Sequence, residues 1–371
     1  MQQLSAADPT SAGPYRLVGR LGAGGMGVVY LGVSPTADRF AVKVITPALV
    51  SDEEFRARFA AEVETLRTVH GSRVARLERA DLDADPPWLA VEFVAGRSLQ
   101  AQVEAGGPLD ARTGSMLGAL LVDGLRSVHD AGLVHRDLKP ANIMLGPSGP
   151  IVIDFGLAVV RERAAGLTAT GQPVGTLAYM SPEQARGSKD LTTATDVYAL
   201  GATLVYALTG HTVYARANPM ALLYRIGNPD DLPDTAGVPV ELAALVDAML
   251  AFEPATRPTL AQASARLLAV ATAAGVTAEQ ARAELAQRTY VADPIVVPPE
   301  VADPVADPGD AATGTDAHAD PDPGDPTRLV PWQPGRQQPQ PGPPDTPEKP
   351  KVDVAWLVEE MRTAYARKAT L

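Results

Sequence analysis

The sequence predicts an α+β protein in which a small β-rich lobe precedes a larger helical lobe. Within residues 15 to about 271, strand-like segments come first and helical segments follow, an order unlike that of alternating βαβ units. Proline is concentrated towards the C-terminus, where residues 290–350 hold 16 of the 34 prolines. The chain is therefore expected to consist of a folded domain followed by a segment that does not fold.

The elements of the folded part can be placed from their apolar patterns. Residues 1–14 are predicted to be a flexible N-terminus, 15–271 the folded domain and 272–289 a short helical extension, with a helix over 277–289. An amphipathic helix is predicted over Glu54–Val69. The predicted strands are Tyr15–Leu21, Val28–Leu31, Phe40–Ile45 and Trp88–Phe93.

Residues 290–350 are predicted to be a disordered linker. They carry 11 acidic and 3 basic residues, which contribute −8 of the net charge of −12. Their recurring Ala-Asp-Pro triplets bury too little apolar surface to offset the entropy lost on ordering.

The C-terminal residues 351–371 are predicted to form an amphipathic helix. We expect this helix to dock on its own folded domain or on a partner, because an exposed apolar face is normally buried against something. The apolar side consists of Val354, Leu357, Val358, Met361 and Tyr365.

Composition argues against several classes of function. The chain has no cysteine, which rules out disulfides, iron–sulfur clusters and thiolate zinc sites, and its five histidines lack metal-ligand spacing. The net charge of −12 argues against nucleic acid as the main partner.

The longest apolar stretch, Val197 to Leu208, is too short to cross a bilayer and is predicted to be a buried helix. Met1 to Gly13 lacks a secretory signal pattern, so a cytoplasmic protein is predicted.

Three glycines near the N-terminus, Gly22, Gly24 and Gly27, have the G-x-G-x-x-G spacing. In a dinucleotide-binding turn the last glycine opens a helix, whereas Gly27 runs into the strand-like Val28–Leu31. A glycine-rich strand–turn–strand lets backbone N–H groups close over nucleotide phosphates without obstruction by side chains. A plain glycine-rich hairpin is the alternative.

Lys43 lies in an apolar strand, where a charge needs partners. The chain has 26 arginines and only six lysines, so a lysine here indicates a specific role, and its compact ammonium suits a phosphate. Glu62 in the following helix is the expected acidic partner. Other carboxylates of that helix compete for this role, namely Glu53, Glu54 and Glu64.

The most informative motifs are His135–Asn142, which reads H-R-D-L-K-P-A-N, and Asp154–Gly156, which reads D-F-G. Together with the glycines, Lys43 and Ser181–Glu183, they occur in the order typical of protein kinases. The sequence resembles a bacterial eukaryotic-like (Hanks-type) serine/threonine protein kinase, of a cytoplasmic form without transmembrane or sensor domain. The resemblance runs from Gly22 to Arg257 and implies the bilobal protein kinase fold, with one key helix in the small lobe.

The resemblance assigns a role to each residue of these motifs. Phosphoryl transfer depends on positioning and on neutralising the charge of the transferred group. Asp154 and Asn142 would bind Mg²⁺ through oxygen atoms, and Asp137 would orient the substrate hydroxyl and accept its proton. Lys139 would reach the γ-phosphate of ATP, and lysine at this position implies serine or threonine substrates. Lys43 and Glu62 complete the predicted catalytic set.

The resemblance also implies an adenine site with backbone hydrogen bonds at its edge. Glu92 and Val94 would supply those bonds, and Val91 would be the gatekeeper. Each apolar residue assigned to this site could instead be ordinary core. The remaining predicted ATP-binding residues are Leu21, Gly22, Gly24, Gly27, Val28, Ala41 and Met144.

Regulation is predicted to involve the segment between the D-F-G motif and Ser181. Thr168 and Thr170 are predicted autophosphorylation sites, and in the family the residue that matches Arg136 pairs with such a phosphate. A kinase homodimer would allow phosphorylation in trans. Thr176 matches a threonine that contacts Asp137 and Lys139 in the family.

Glu183 and Arg257 match a buried ion pair of the large lobe. Two alternatives to an active enzyme stay open, namely a pseudokinase scaffold that binds partners through its tail and a small-molecule phosphotransferase. All of Lys43, Asp137, Asn142 and Asp154 are present, which argues against the first, and the peptide platform Gly175–Glu183 argues against the second.

Overall fold

The computed structural model describes residues 1–24, 27–46, 53–154, 177–215 and 217–292. The chain divides into two units, Met1–Val301 and Ala302–Leu371, and the second lies outside the described residues. The linker and the C-terminal helix over 351–371 therefore stay predictions. Within the described ranges, no helix is long and apolar enough to cross a membrane.

A six-stranded antiparallel sheet, in the order β1-β2-β3-β4-β6-β5, forms the N-terminal lobe. All four predicted strands are present, with small differences at their ends. Buried and exposed positions alternate along the start of β2, where Tyr15 and Leu17 enter the core. The strands are β1 (Ser11–Ala12), β2 (Tyr15–Gly24), β3 (Gly27–Val33), β4 (Arg39–Ile45), β5 (Leu77–Asp81) and β6 (Trp88–Glu92).

Among the described residues, the N-terminal lobe contains one helix, α1 (Glu53–Leu66). Its residues Phe59, Val63 and Leu66 recur at intervals of four and three and form one buried cluster with strand residues that include Leu89. The helix ends before the predicted Val69, although Val69 is still buried in the same cluster. Apolar spacing therefore located the inward face correctly.

Helices form most of the C-terminal lobe, and a three-stranded antiparallel sheet lies beside them. The sheet consists of β7 (Arg97–Ser98), β8 (Ile143–Gly146) and β9 (Gly149–Val152). The helices are α2 (Leu99–Gly106), α3 (Ala111–Asp130), α4 (Pro182–Ala185), α5 (Thr193–Thr209), α6 (Pro219–Gly227), α7 (Val240–Met249), α8 (Leu260–Ala271) and α9 (Ala278–Thr289).

Helix α5 is the centre of the C-terminal lobe. It contains the apolar run Val197 to Leu208, which is buried as predicted. The helix packs closely on α7, because an added Cβ at Gly201 would lie only 2.9 Å from the Cβ of Met249. A buried helix of this kind is a rigid support for the loops that lie on it.

Helix α9 extends the folded part beyond α8, as predicted. Thr277 and Gln280 form a capping box at its start, in which Gln280 N–H donates to the Thr277 hydroxyl at 3.1 Å. Leu285 is fully buried, and Arg288 forms an ion pair with Asp110, the residue that caps α3. The extension is thus part of the packed domain.

Residues 1–14, predicted to be a flexible N-terminus, make specific contacts instead. Gln2 pairs with Arg20 of β2, and β1 pairs with the start of β2. Asp8 explains why this segment is ordered, because its carboxylate accepts hydrogen bonds from Arg20 and Tyr30, which are far from it in the sequence. The prediction considered only local composition, which does not reveal such contacts.

Candidate active site

The loop between α3 and β8 places three polar side chains together. The Asp137 carboxylate accepts a hydrogen bond from Lys139 Nζ at 2.8 Å and another from Asn142 Nδ2 at 2.9 Å. The same Asn142 nitrogen also donates to the Asp137 carbonyl oxygen at 3.0 Å. The loop therefore holds the Asp137 carboxylate beside the Lys139 ammonium group. The buried Asn142 amide restrains the side-chain rotamer of Asp137.

A buried carboxylate below this loop fixes its backbone. Asp196, at 0% exposure in α5, accepts hydrogen bonds from the backbone N–H of His135 at 2.8 Å and of Arg136 at 2.9 Å. It also contacts His129 Nε2 at 2.7 Å. Arg136 has a positive φ of 62°, which is unfavourable for a residue with a side chain and needs support of this kind.

Neither Asp196 nor His129 is among the site residues that the sequence predicted. A signal for Asp196 was present, because it directly precedes the apolar run that was predicted to be buried, and a carboxylate at such a position needs hydrogen-bond donors.

Gln184 is a further residue that sequence reasoning missed. It forms a capping box with Ser181 at the start of α4, and its Nε2 donates to the Arg136 carbonyl at 2.9 Å. The loop is thus held from α4 as well as from α5.

Lys43, in the middle of β4, faces Asp154, which follows β9. Lys43 Nζ lies 3.1 Å from Asp154 Oδ1, and the two side chains are 9% and 42% exposed respectively. This ion pair joins the N-terminal sheet to the segment that carries the predicted metal ligand. Glu62 is half-buried in α1, and its pairing with Lys43 stays a prediction.

The hairpin of β8 and β9 brings Asn142 and Asp154 to one end of the small sheet. Ile143 pairs with Val152, and Ile153 N–H donates to the Asn142 carbonyl at 2.9 Å. Residues twelve positions apart in the sequence are therefore held near each other by a four-residue ladder. Asp154 has a positive φ of 58°, a second strained position in this region.

The glycine-rich turn joins β2 and β3. Gly24 pairs with Gly27, and an added Cβ at Gly27 would lie 1.9 Å from the Val44 carbonyl oxygen. Its φ of 144° also favours glycine. At Gly22 and Gly24, by contrast, an added Cβ meets no atom within 4 Å among the described residues. Gly27 is required for packing of the sheet, whereas Gly22 and Gly24 are exposed residues.

The predicted adenine-site residues lie on neighbouring elements. Ala41 pairs with Val91 across β4 and β6, Val28 is half-buried on β3 and Met144 is half-buried on β8. The Glu92 backbone N–H donates to the Arg76 carbonyl at 2.9 Å. The other predicted residues of this group are Leu21, which is half-buried on β2, and Val94, which is buried after β6.

A buried ion pair supports α4 from below. The Arg257 guanidinium donates to both oxygens of Glu183 at 2.8 Å, and the Thr195 hydroxyl donates to the same carboxylate at 2.8 Å. Burial acts to raise the pKa of Glu183, but the hydrogen bonds from Arg257 and Thr195 outweigh it and hold this pKa below its ordinary value. Glu183 is therefore ionised at neutral pH.

The remaining predicted residues cannot be placed. Phe155 and Gly156 of the D-F-G motif, and also Thr168, Thr170 and Thr176, lie outside the described residues.

The chain is similar in sequence to bacterial serine/threonine kinases. The family model described as protein kinase domain matches residues 15–267. Serine/threonine-protein kinase AfsK of Streptomyces coelicolor is 43% identical over 267 residues, which cover 72% of this chain and 33% of AfsK. The probable serine/threonine-protein kinase PkwA of Thermomonospora curvata is 45% identical over 268 residues, which cover 72% of this chain and 35% of PkwA. The chain thus spans about a third of the length of these curated relatives.

Solved structures share the architecture. The crystal structure of the PknI kinase domain of Mycobacterium tuberculosis superposes with a TM-score of 0.57 at 25% identity, covering 71% of this chain and 99% of that one. The crystal structure of Rad53 in complex with AMP-PNP gives a TM-score of 0.56 at 25% identity, covering 68% of this chain and 64% of that one.

Proposed function

The chain belongs to the protein kinase family, whose fold the sequence predicted, and we propose that it transfers the γ-phosphate of ATP to serine and threonine hydroxyls of proteins. The observation that carries this proposal is the Asp137 carboxylate, which is hydrogen-bonded to Lys139 and Asn142. A carboxylate held in this way can orient a hydroxyl and accept its proton, and the adjacent ammonium can contact the transferred group.

Asp154 and Asn142 are the residues that would hold Mg²⁺. The donor set fits this ion, because Asp154 offers an exposed carboxylate and Asn142 uses its Nδ2 in its hydrogen bonds to Asp137, which leaves the amide oxygen as the ligand atom. Mg²⁺ commonly binds through one or two such side chains together with substrate phosphates. When bound there with ATP, the ion would neutralise charge on the phosphates.

The N-terminal lobe would bind the nucleotide. Backbone N–H groups near Gly22 and Gly24 are accessible to phosphates, and the Lys43 ammonium lies on the same sheet. The Glu92 carbonyl and the Val94 backbone would pair with the adenine edge. The Lys43–Asp154 ion pair supports this arrangement, because it brings the phosphate-binding cation next to the proposed metal ligand.

Control of the enzyme is proposed to use the segment that precedes Leu177. Phosphate on Thr168 or Thr170, added by a second copy of the chain, would pair with Arg136, and Thr176 would contact the catalytic loop. The C-terminal helix over 351–371 would dock on its own kinase domain or on a partner protein. We further propose a cytoplasmic location.

The test of the main proposal is incorporation of labelled phosphate from ATP into a generic basic protein substrate. Asp137→Asn and Asp154→Asn should each lower turnover at least about 100-fold, because each removes a charge that acts on the reacting groups. Asp83→Asn, an exposed acid on the turn before β6, is the matched control. Turnover close to wild type in Asp137→Asn would disprove the assigned role.

Mapping of phosphorylated sites on the active enzyme tests the control segment. Phosphate on Thr168 or Thr170, with reduced activity of the double alanine variant, is the expected result.

Deletion of residues 352–371 tests docking of the C-terminal helix. Unchanged hydrogen exchange of the kinase domain together with unchanged partner binding would contradict docking.

A further inference from the structure

The N-terminal segment, residues 1–12, lies directly on the strand that leads into the glycine-rich turn. Gln2 and Arg20 exchange two backbone hydrogen bonds, each of 2.9 Å, and Leu17 N–H donates to the Thr10 carbonyl at 2.9 Å. An added Cβ at Gly19 would lie 2.7 Å from the Met1 sulfur, so the absence of a side chain there permits this close contact. The segment thus forms backbone hydrogen bonds along the edge of β2.

Asp8 is the centre of this contact. Its carboxylate accepts hydrogen bonds from Arg20 Nε at 2.8 Å to each oxygen, and from the Tyr30 hydroxyl at 2.7 Å. Ser5 donates to it from both its backbone N–H, at 2.7 Å, and its hydroxyl, at 2.9 Å. The side chain of Asp8 is only 1% exposed. A buried carboxylate with this many donors holds a well-defined position.

The two strand residues that Asp8 contacts are cross-strand partners. Arg20 of β2 pairs with Tyr30 of β3, one on each side of the glycine-rich turn. The hydrogen bond from Arg20 lowers the pKa of Asp8, and burial together with the hydrogen bond to Asp8 raises the pKa of Tyr30 to about 12. Near neutral pH the carboxylate is therefore ionised and the tyrosine hydroxyl is a donor, as the contacts require.

On its β3 side the glycine-rich turn is held by β4, where Gly27 pairs with Ile45. On its β2 side the neighbour is the N-terminal segment, where Gln2 pairs with Arg20. Gly22 and Gly24 carry no side chain, and their surroundings are open among the described residues. The position of their backbone is consequently set by the two strands at the base of the turn. At this base, Arg20 of β2 and Tyr30 of β3 both donate hydrogen bonds to Asp8.

We propose that Asp8 is a positioning residue for the nucleotide, which acts by holding the N-terminal segment against the Arg20–Tyr30 pair and thereby fixes the strands that present the glycine backbone to the ATP phosphates. This inference rests on the proposed function. The Asp8 carboxylate is hydrogen-bonded to Ser5, Arg20 and Tyr30, so its effect on ATP would pass through the two strands. Loss of the carboxylate should weaken ATP binding and leave protein-substrate binding unchanged.

The test compares Asp8→Asn with wild type in the full chain, and Asp83→Asn serves as the charge-matched control. We expect the KM for ATP to rise about three- to tenfold, as loss of a charged hydrogen-bond acceptor would give, while the KM for the protein substrate stays constant. Affinity for a fluorescent ATP analogue should fall by the same factor. Hydrogen exchange should accelerate in residues 17–24 and 27–33 and stay unchanged in the C-terminal lobe.

Tyr30→Phe provides a second, smaller perturbation, because it removes one donor to Asp8 and keeps the buried ring. Its effect on ATP affinity should be weaker than that of Asp8→Asn and should not add to it in the double variant.

A lower melting temperature of Asp8→Asn with unchanged ATP affinity and unchanged exchange of the two strands would overturn the proposal, since the role would then be purely structural. Failure of the proposed function itself is distinguishable, because wild-type protein would then transfer no phosphate.

Discussion

Arg257 offers the sharpest test of how the C-terminal lobe is held together. Its side chain is 0% exposed and donates to both oxygens of Glu183 and to the carbonyl oxygens of Ala194, Ala251 and Phe252. In Arg257→Met the apolar volume is largely kept, but Glu183 is left as a buried carboxylate with the Thr195 hydroxyl as a remaining donor.

The expected loss of unfolding free energy is about 3–5 kcal/mol, the usual cost of stranding one charge of a buried pair. For a domain of this size that corresponds to a melting temperature lower by about 6–20 °C. Arg266→Met, at an exposed position of α8, is the matched control and should change the melting temperature little. Urea unfolding followed by circular dichroism measures both variants.

The loss should also depend on pH. In wild type the pKa of Glu183 is below its ordinary value, so its contribution to stability is present above about pH 4.3 and is lost as pH falls through the folded-state pKa. In Arg257→Met the effect of burial remains and raises this pKa, so the folded state takes up a proton more readily than the unfolded chain. The difference in unfolding free energy between wild type and Arg257→Met should therefore become smaller as the pH is lowered from 8 to 5.

The double variant Glu183→Leu/Arg257→Met removes both charges and should recover at least about 2 kcal/mol relative to Arg257→Met. The reasoning would be refuted by an Arg257→Met protein that is within about 1 kcal/mol of wild type, or by a double variant that is no more stable than the single one.

Three further predictions concern Gly27, Leu285 and Asp196. Gly27→Ala should lower the melting temperature and ATP affinity, because its Cβ would meet the Val44 carbonyl at 1.9 Å, whereas Gly24→Ala should leave the melting temperature unchanged. Leu285→Ala, measured by urea unfolding, should cost about 2–5 kcal/mol if α9 is part of the packed domain. Asp196→Asn should reduce kcat about tenfold or more with a smaller change in the KM for ATP, because an amide cannot accept hydrogen bonds from all three present partners of Asp196. An unchanged kcat in steady-state assays would contradict this.

Local pattern was sufficient to predict several elements of the fold, whereas the arrangement in two lobes followed also from the resemblance to protein kinases. The strands around Lys43 and the helix that carries Phe59 follow from alternation and from helical spacing, both of which are properties of short windows. The buried run in α5 was visible as an uninterrupted apolar stretch. Element ends differ by a few residues, as in α1, which ends at Leu66 although Val69 belongs to the same buried cluster.

Contacts between distant segments could not be predicted in the same way. Asp8 is an ordinary exposed acid by composition, and only the fold places Arg20 and Tyr30 beside it. Asp196 and Gln184 contact backbone atoms of the loop that carries Asp137, so no complementary side chain in the sequence signals these contacts. Motif spacing indicated which residues to consider, whereas the supports that orient them depend on tertiary structure.

The two halves of the candidate site have independent supports, and this has a consequence for kinetics. The loop between α3 and β8 is held from below by Asp196 in α5, a helix in the centre of the larger core. The glycine-bearing strands are held by Asp8 through a separate cluster of the N-terminal lobe. The two supports share no contact residue among those described, although the lobes are in contact at the Lys43–Asp154 ion pair and at the bridge between Val74 and Val152. Defects in the first support should therefore appear in turnover and defects in the second in ATP affinity, and their free-energy effects should be additive when combined.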